Sequence, residues 1–306
     1  MHEPSSQIRA RLAAWGVTPT GPGFTTASSE LMPGTRRGIP VMLKIVLVDE
    51  EVRGSALLQW WGGQGAAPVL ERAGDATLMV RATGPRDLAA MAASGQDAAA
   101  TEILVRTAVA LHDRPAPAAA DGVVLIPLRD WFGDLLTTDT RDPLMRRAAE
   151  TAGRLVATTR PADVAVLHGD IHHGNVLDFG DRWAVIDPKG LIGHRAFDFA
   201  NILCNPTEAV ALATLADRIE TISRQANLTP GCSWSGPSPG AGCLCCGTRP
   251  RPARPGMAGR PGPSRSVCSP EPPHRFGWSF QARSVGSGYD RTKCDNGGCS
   301  SCPDPG

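Results

Sequence analysis

The chain has no apolar run that could span a bilayer, since no window of its 306 residues approaches the roughly 20 consecutive apolar residues a crossing helix needs. Its first residues, MHEPSSQIRARLAAWG, scatter charge where a secretory leader would carry an apolar stretch. A cytoplasmic protein is expected. The formal net charge is +1, which gives no electrostatic reason to expect nucleic acid or a membrane surface as partner. Cysteine is nearly absent from the first three quarters: Cys204 stands alone, and the other eight lie between Cys232 and Cys302. Branched aliphatics show the opposite imbalance, with only Leu244, Val267 and Val285 after Gly231. About a third of that segment is Gly or Pro, so it cannot recover its ordering entropy by burial and disorder is expected. Cys243, Cys245, Cys246, Cys294, Cys299 and Cys302 give no clean pair of C-x-x-C clips, so neither a zinc module nor a disulfide framework is expected. The Arg, Pro, Gly, Cys and Ser mixture matches what GC-rich DNA yields out of frame, and the coding DNA across Thr229 would test that.

Before this segment the pattern is that of a globular protein. Of 31 basic and 30 acidic residues, nine and four fall from Gly231 onward, leaving 22 against 26 in front. That part is mildly acidic and long enough for two lobes. TTASSE and GIPVMLKIVLV read as two strands turned at PGTRRG, where Pro33 and Gly34 supply the turn chemistry. DEEVRGSALLQWW reads as a helix opened by acids and stopped by glycines, and AAPVLE and ATLMVRA as two further strands. DAAATEILVRTAVALH and DPLMRRAAETAGRLVATTR are amphipathic helices, the first with Ile103, Leu104, Ala108 and Leu111 near one face. DVAVL, NVLDFG and RWAVIDP read as short strands, and AFDFANILCNP as the opening of another helix. The expected architecture is α+β and bilobal: a small β-rich lobe over residues 1–82, a mostly helical lobe over 83–229, and a tail over 230–306.

The chemistry concentrates in HGDIHHGNVL, residues 168–177. A metal nest of His168, His172 and His173 is disfavoured, because neighbouring side chains of a tight loop point apart and no further zinc ligands follow at the usual spacing. A plain surface turn accounts for Gly169 and Gly174 but not for Asp170, Asn175 and Asp187, each set against an apolar run. Phosphoryl transfer accounts for all three. It needs a carboxylate to orient and deprotonate a hydroxyl, which Asp170 can be, and hard oxygen ligands for Mg²⁺, which Asn175 and Asp187 supply.

His168-Gly169-Asp170 through Asn175, followed by Ile186-Asp187, resembles the catalytic loop and metal aspartate of the aminoglycoside phosphotransferases, which have the protein-kinase-like fold. The flanks MLK, DEE, WWGGQGAAPVL, LMVRATGPRDL, IDPKGLIG and FDFANILCNP most resemble the streptomycin 6-phosphotransferases of the aminoglycoside and hydroxyurea resistance kinases, over roughly residues 20–229. The resemblance implies ATP as donor and Mg²⁺ as cofactor, with Lys44 on the α- and β-phosphates and Glu51, or its neighbour Glu50, as the ion-pair partner of that lysine. It implies a hinge at Met79 to Ala82, with backbone groups of Val80 and Ala82 reading the adenine edge. Asp198 would brace the catalytic loop, and His168 would shape it. The implied acceptor is the 6-hydroxyl of streptomycin, a cation that suits the acidic balance in the weak way net charge can. Hydroxyurea or another aminoglycoside is the nearest alternative acceptor.

Two features depart from the family. No G-x-G-x-x-G precedes Lys44, and the globular pattern fails after ALATLADRIETISRQANLTP, where the family continues into helices that carry substrate contacts. A nucleotide-binding chain without useful activity is therefore the rival reading. A protein kinase is a weaker one, because Asp178-Phe179-Gly180 stands too close to Asn175 to be the magnesium motif and reads as a hairpin turn instead.

Overall fold

A two-residue turn at Arg37 and Gly38 sets the register of the first sheet. The computed structural model describes residues 4–228; the Gly-, Pro- and Cys-rich tail, with the disorder and frame shift expected of it, lies outside the described residues. Helix α1 (Ser6–Trp15) is capped by Ser5, whose hydroxyl accepts from the Ile8 amide, and is closed by Gly16 at φ 61°. Strands β1 (Thr18–Pro19), β2 (Phe24–Thr25), β3 (Ser29–Arg36) and β4 (Ile39–Val46) follow, then α2 (Asp49–Trp61), β5 (Val69–Ala73) and β6 (Ala76–Val80). The antiparallel order is β1-β3-β4-β6-β5, with β2 also on β3.

Pro33 and Gly34 do not turn the chain as their composition suggests. They lie inside β3, opposite Met42 and Val41. The turn falls on Arg37 and Gly38, at φ 51° and 80°, because positive φ at both central positions gives a two-residue hairpin the twist of its strands. Gly34 has a different use: a Cβ there would lie 2.6 Å from Val17 Cγ1 and 2.8 Å from the Thr18 carbonyl, so β1 can approach only a glycine.

Beyond residue 80 helices predominate, as expected of the second lobe: α3 (Leu88–Ala93) and α4 (Asp97–His112), then β7 (Ile126–Pro127), α5 (Leu128–Trp131), α6 (Gly133–Thr137) and α7 (Pro143–Thr158). Next come β8 (Val164–Leu167), β9 (Val176–Asp178), β10 (Trp183–Val185), β11 (Leu191–His194) and α8 (Glu208–Gln225). AFDFANILCNP forms two 3₁₀ turns, Arg195–Phe199 and Asn201–Leu203, rather than the expected helix. Pro206 disfavours helical backbone at the residue before it, so α8 starts only after Thr207, whose hydroxyl caps it. A small sheet ordered β7-β11-β8 joins the loop after residue 187 to the strand that runs into His168-Gly169-Asp170.

One core connects the two halves. Leu57, Leu58 and Trp61 of α2 are buried with Leu104 and Leu111 of α4, Val166 of β8, Ile171 of the loop after β8, Phe199 and Ile222. At roughly 1.5–3 kcal/mol for each large apolar side chain, this burial holds α2 against the loop after β8 far more strongly than any surface contact would. No helix among the described residues is long and apolar enough to cross a membrane.

Candidate active site

Strand β8 ends at Leu167 and delivers His168 into a loop held from below by one carboxylate. The His168 and Gly169 amides donate to the two oxygens of Asp198 at 3.0 and 2.6 Å, and His112 Nε2 meets the same carboxylate at 2.8 Å. Asp198 thus accepts from two successive amides of the loop, and its contacts are with the loop and His112. Gly169 sits at φ 85°, where a Cβ would lie 2.7 Å from Leu191 Cδ1. His168 is fully buried beside Trp61, with ring centroids 6.3 Å apart and nearly parallel planes. Its Nδ1 accepts from the Asp170 amide and its Nε2 lies 2.8 Å from the Ile186 carbonyl, which requires the neutral Nε2–H tautomer. Burial holds its pKa below the ordinary histidine value, consistent with that form.

Asp170 faces two amides. Asn201 Nδ2 donates to its Oδ1 at 2.7 Å; Asn175 Nδ2 donates to its backbone carbonyl at 2.9 Å and lies 3.4 Å from its Oδ2. With its NH₂ turned that way, Asn175 presents its side-chain oxygen elsewhere. The Asn175 carbonyl accepts from the Ile186 amide at 2.9 Å, which sets Asp187 next to it. Asp187 has φ 57°, a conformation costly for a non-glycine residue and found where the surroundings fix a functional side chain. Its Oδ1 receives Lys44 Nζ at 2.8 Å, and Lys44 Nζ also donates to Glu51 Oε2 at 2.5 Å. The structure thus pairs Lys44 with Glu51. Burial alone would lower the lysine's pKa, but the charges of Asp187 and Glu51 outweigh it and hold the ammonium above its ordinary value. Burial would likewise raise the Asp187 carboxyl, and Lys44 overrides it downward.

Asn175 and Asp187 are the residues that would hold a Mg²⁺, both through hard oxygen donors. Mg²⁺ commonly takes only one or two protein ligands and fills the rest with phosphate and water, so this pair fits it. Among the described residues no group of three His, Cys, Asp or Glu side chains gathers as a metal site.

The segment expected to serve as a hinge, Met79 to Ala82, runs beside Pro68. The Val80 amide donates to the Pro68 carbonyl at 2.9 Å, but Pro68 has no N–H to return to the Val80 carbonyl. Val80 could therefore read adenine only through its carbonyl, since its amide is already engaged; Ala82 lies just past the strand. The next turn is tied to the β9–β10 hairpin: Arg86 donates to Asp178 from its amide, Nε and NH2 at 3.1, 2.7 and 2.7 Å. Those bonds hold the Asp178 carboxyl well below the usual carboxylate range. Asp178-Phe179-Gly180 is a hairpin anchor, and sequence reasoning missed its partner, Arg86. It also missed Asn201, His112 and Lys189, whose Nζ lies 3.4 Å from Glu51 Oε1. The IDPKG string contained Lys189 without any sign of where it would point.

Within the loop, His173 is 2% exposed, with neither ring nitrogen hydrogen-bonded. Burial, with the nearby Arg218 charge, pushes its pKa down to about 3. The unfolded chain therefore takes up this proton first as pH falls. The stability contribution is complete above about pH 6.5 and is lost toward pH 3, at about 1.4 kcal/mol per pH unit. In urea unfolding between pH 7 and 5, His173→Leu is expected to flatten the dependence by about one proton; an unchanged slope would show that His173 does not stay neutral in the fold.

A family profile described as aminoglycoside/hydroxyurea antibiotic resistance kinase matches residues 14–230. A streptomycin 3''-kinase from Klebsiella pneumoniae is 45% identical over 210 residues, covering 67% of this chain and 77% of its own. Among solved structures, the streptomycin–ATP–APH(2")-IIa ternary complex is similar with a TM-score of 0.51 at 13% identity, over 75% of this chain and 86% of that one. At that identity the likeness is one of fold.

Proposed function

We propose, from the fact that the chain belongs to the aminoglycoside/hydroxyurea antibiotic resistance kinase family, that it transfers the γ-phosphoryl group of ATP to the 6-hydroxyl of streptomycin. The observation that carries the reading is the meeting of the buried pair Lys44 and Glu51 with the half-buried Asp187 in one network, Asp187 following the β9–β10 hairpin that Asp170 and Asn175 precede. Lys44 would hold the α- and β-phosphates and Glu51 would keep Lys44 in place. Asp170 would take the proton of the acceptor hydroxyl as its oxygen bonds to the γ-phosphorus and the bond to the β-phosphate oxygen breaks. When bound, Mg²⁺ at Asn175 and Asp187 would supply charge neutralisation for the phosphates. ATP as donor also fits a cytoplasmic site of action.

The 6-position follows from the flanking motifs; the 3'' position is the one that the Klebsiella relative's name carries, and hydroxyurea is the other acceptor in the family's description. Incubating the full chain with Mg²⁺, ATP and each acceptor, then locating the phosphate by phosphorus–proton correlation, separates these readings. A 6-phosphate is the expected product. A 3''-phosphate would move the position, product from hydroxyurea alone would change the acceptor, and stabilisation by nucleotide without any product would favour an inactive nucleotide binder.

A further inference from the structure

Glu51 receives two lysines, one at each carboxylate oxygen. Lys44 Nζ, on β4, lies 2.5 Å from Oε2, and Lys189 Nζ, two residues past Asp187, lies 3.4 Å from Oε1. All three residues are buried, at 4, 8 and 6% exposure for Lys44, Lys189 and Glu51. Among the described residues, Lys44 alone would set one ammonium against the carboxylates of Glu51 and Asp187, and Lys189 brings a second, which helps make a buried ionic group tolerable.

The backbone of Lys189 is fixed as firmly as its charge. Its amide donates to the His168 carbonyl at 2.7 Å. The preceding residue, Pro188, lies against α2: a Cβ on Gly54 would sit 2.1 Å from the Pro188 carbonyl, so only glycine allows the helix this close. Gly54 and Glu51 are neighbours on one face of α2, three residues apart. The segment after Asp187 therefore meets α2 at two points, one steric and one electrostatic.

We infer that Lys189 is a positioning residue for nucleotide: it grips Glu51 from the catalytic-loop side, so that Glu51 stays in place to hold Lys44 when Asp187 turns toward a metal. This rests on the kinase reading. The consequence is a loss of nucleotide affinity, transmitted through Glu51, when Lys189 is neutralised.

The test measures the dissociation constant of a non-hydrolysable ATP analogue by calorimetry on the full chain, alongside KM for ATP and kcat. Lys189→Met is expected to raise both Kd and KM about tenfold, and to have an effect of no more than about twofold in a Glu51→Gln background, because the two side chains act as one unit. An unchanged Kd, or an equal factor in both backgrounds, overturns the inference. Lys189→Arg keeps the charge beside Glu51 and serves if Lys189→Met does not fold; it is expected to stay within about threefold of wild type, and a loss of about tenfold there also overturns it. A wild-type chain that binds the analogue but transfers no phosphoryl group overturns the kinase reading, and the coupling between Lys189 and Glu51 remains measurable.

Discussion

Asp170→Asn is expected to leave a folded chain that binds nucleotide with near wild-type affinity and turns over about 10²- to 10⁴-fold more slowly, the usual contribution of a positioned base. The substitution is nearly isosteric, so the loop stays held by Asp198 through the His168 and Gly169 amides. An amide cannot take a proton from the acceptor hydroxyl. It also meets two donors where the carboxylate met them, Asn201 Nδ2 at 2.7 Å and Asn175 Nδ2 at 3.4 Å, and its own NH₂ must displace one of them. That mismatch costs on the order of 1 kcal/mol of stability, too little to unfold the chain and separable from the rate effect by a thermal melt. A kcat within about threefold of wild type would remove Asp170 from the base role.

The catalytic loop was legible because its parts are contiguous and its chemistry fixes their types. Phosphoryl transfer calls for an acid, an amide oxygen and a second acid, and these lie within twenty residues of one another. Lys44 and Glu51 were legible for a similar reason, as the end of one strand and the start of the helix after it. The residues that were missed reach their partners across long stretches of chain: Asn201 is 31 residues from Asp170, His112 is 86 from Asp198, Arg86 is 92 from Asp178 and Lys189 is 138 from Glu51. No local pattern carries such pairings. The hairpin turn failed for another reason. Pro-Gly is a strong turn signal, but in this chain the eight-residue register of β3 on β4 decides, and it places the positive φ values at Arg37 and Gly38. The strand β11, four residues with a glycine inside, shows no periodicity and exists only because β7 and β8 lie on either side of it.

The largest stability effect is expected at Asp97→Ala, which should cost about 3–5 kcal/mol, because it leaves the Arg218 guanidinium buried without its carboxylate. Arg218 is 1% exposed on α8. Its Nε donates to Asp97 Oδ2 at 3.0 Å, its NH2 to Oδ1, and its NH1 to the carbonyls of Ile202 and Asn205. Burial would raise the Asp97 carboxyl's pKa, but the Arg218 hydrogen bonds override it downward, so the pair's contribution is present above the ordinary carboxylate range and is lost as pH falls through the lowered value. One guanidinium therefore ties α4 and α8 to the 3₁₀ segment next to Asn201 and Asp198, the residues that hold the catalytic loop. Against a typical total of about 5–15 kcal/mol, such a loss should lower the melting temperature by about 10 °C. Activity should fall with it as the loop loosens. The double variant Asp97→Leu with Arg218→Met, which removes both charges and keeps apolar volume, is expected to recover much of the stability, since replacing a buried ion pair is often near neutral where breaking it is not. Urea unfolding of the three proteins decides the point. A cost below about 1 kcal/mol for Asp97→Ala alone would mean that water reaches the guanidinium and that α8 is held by its apolar face instead.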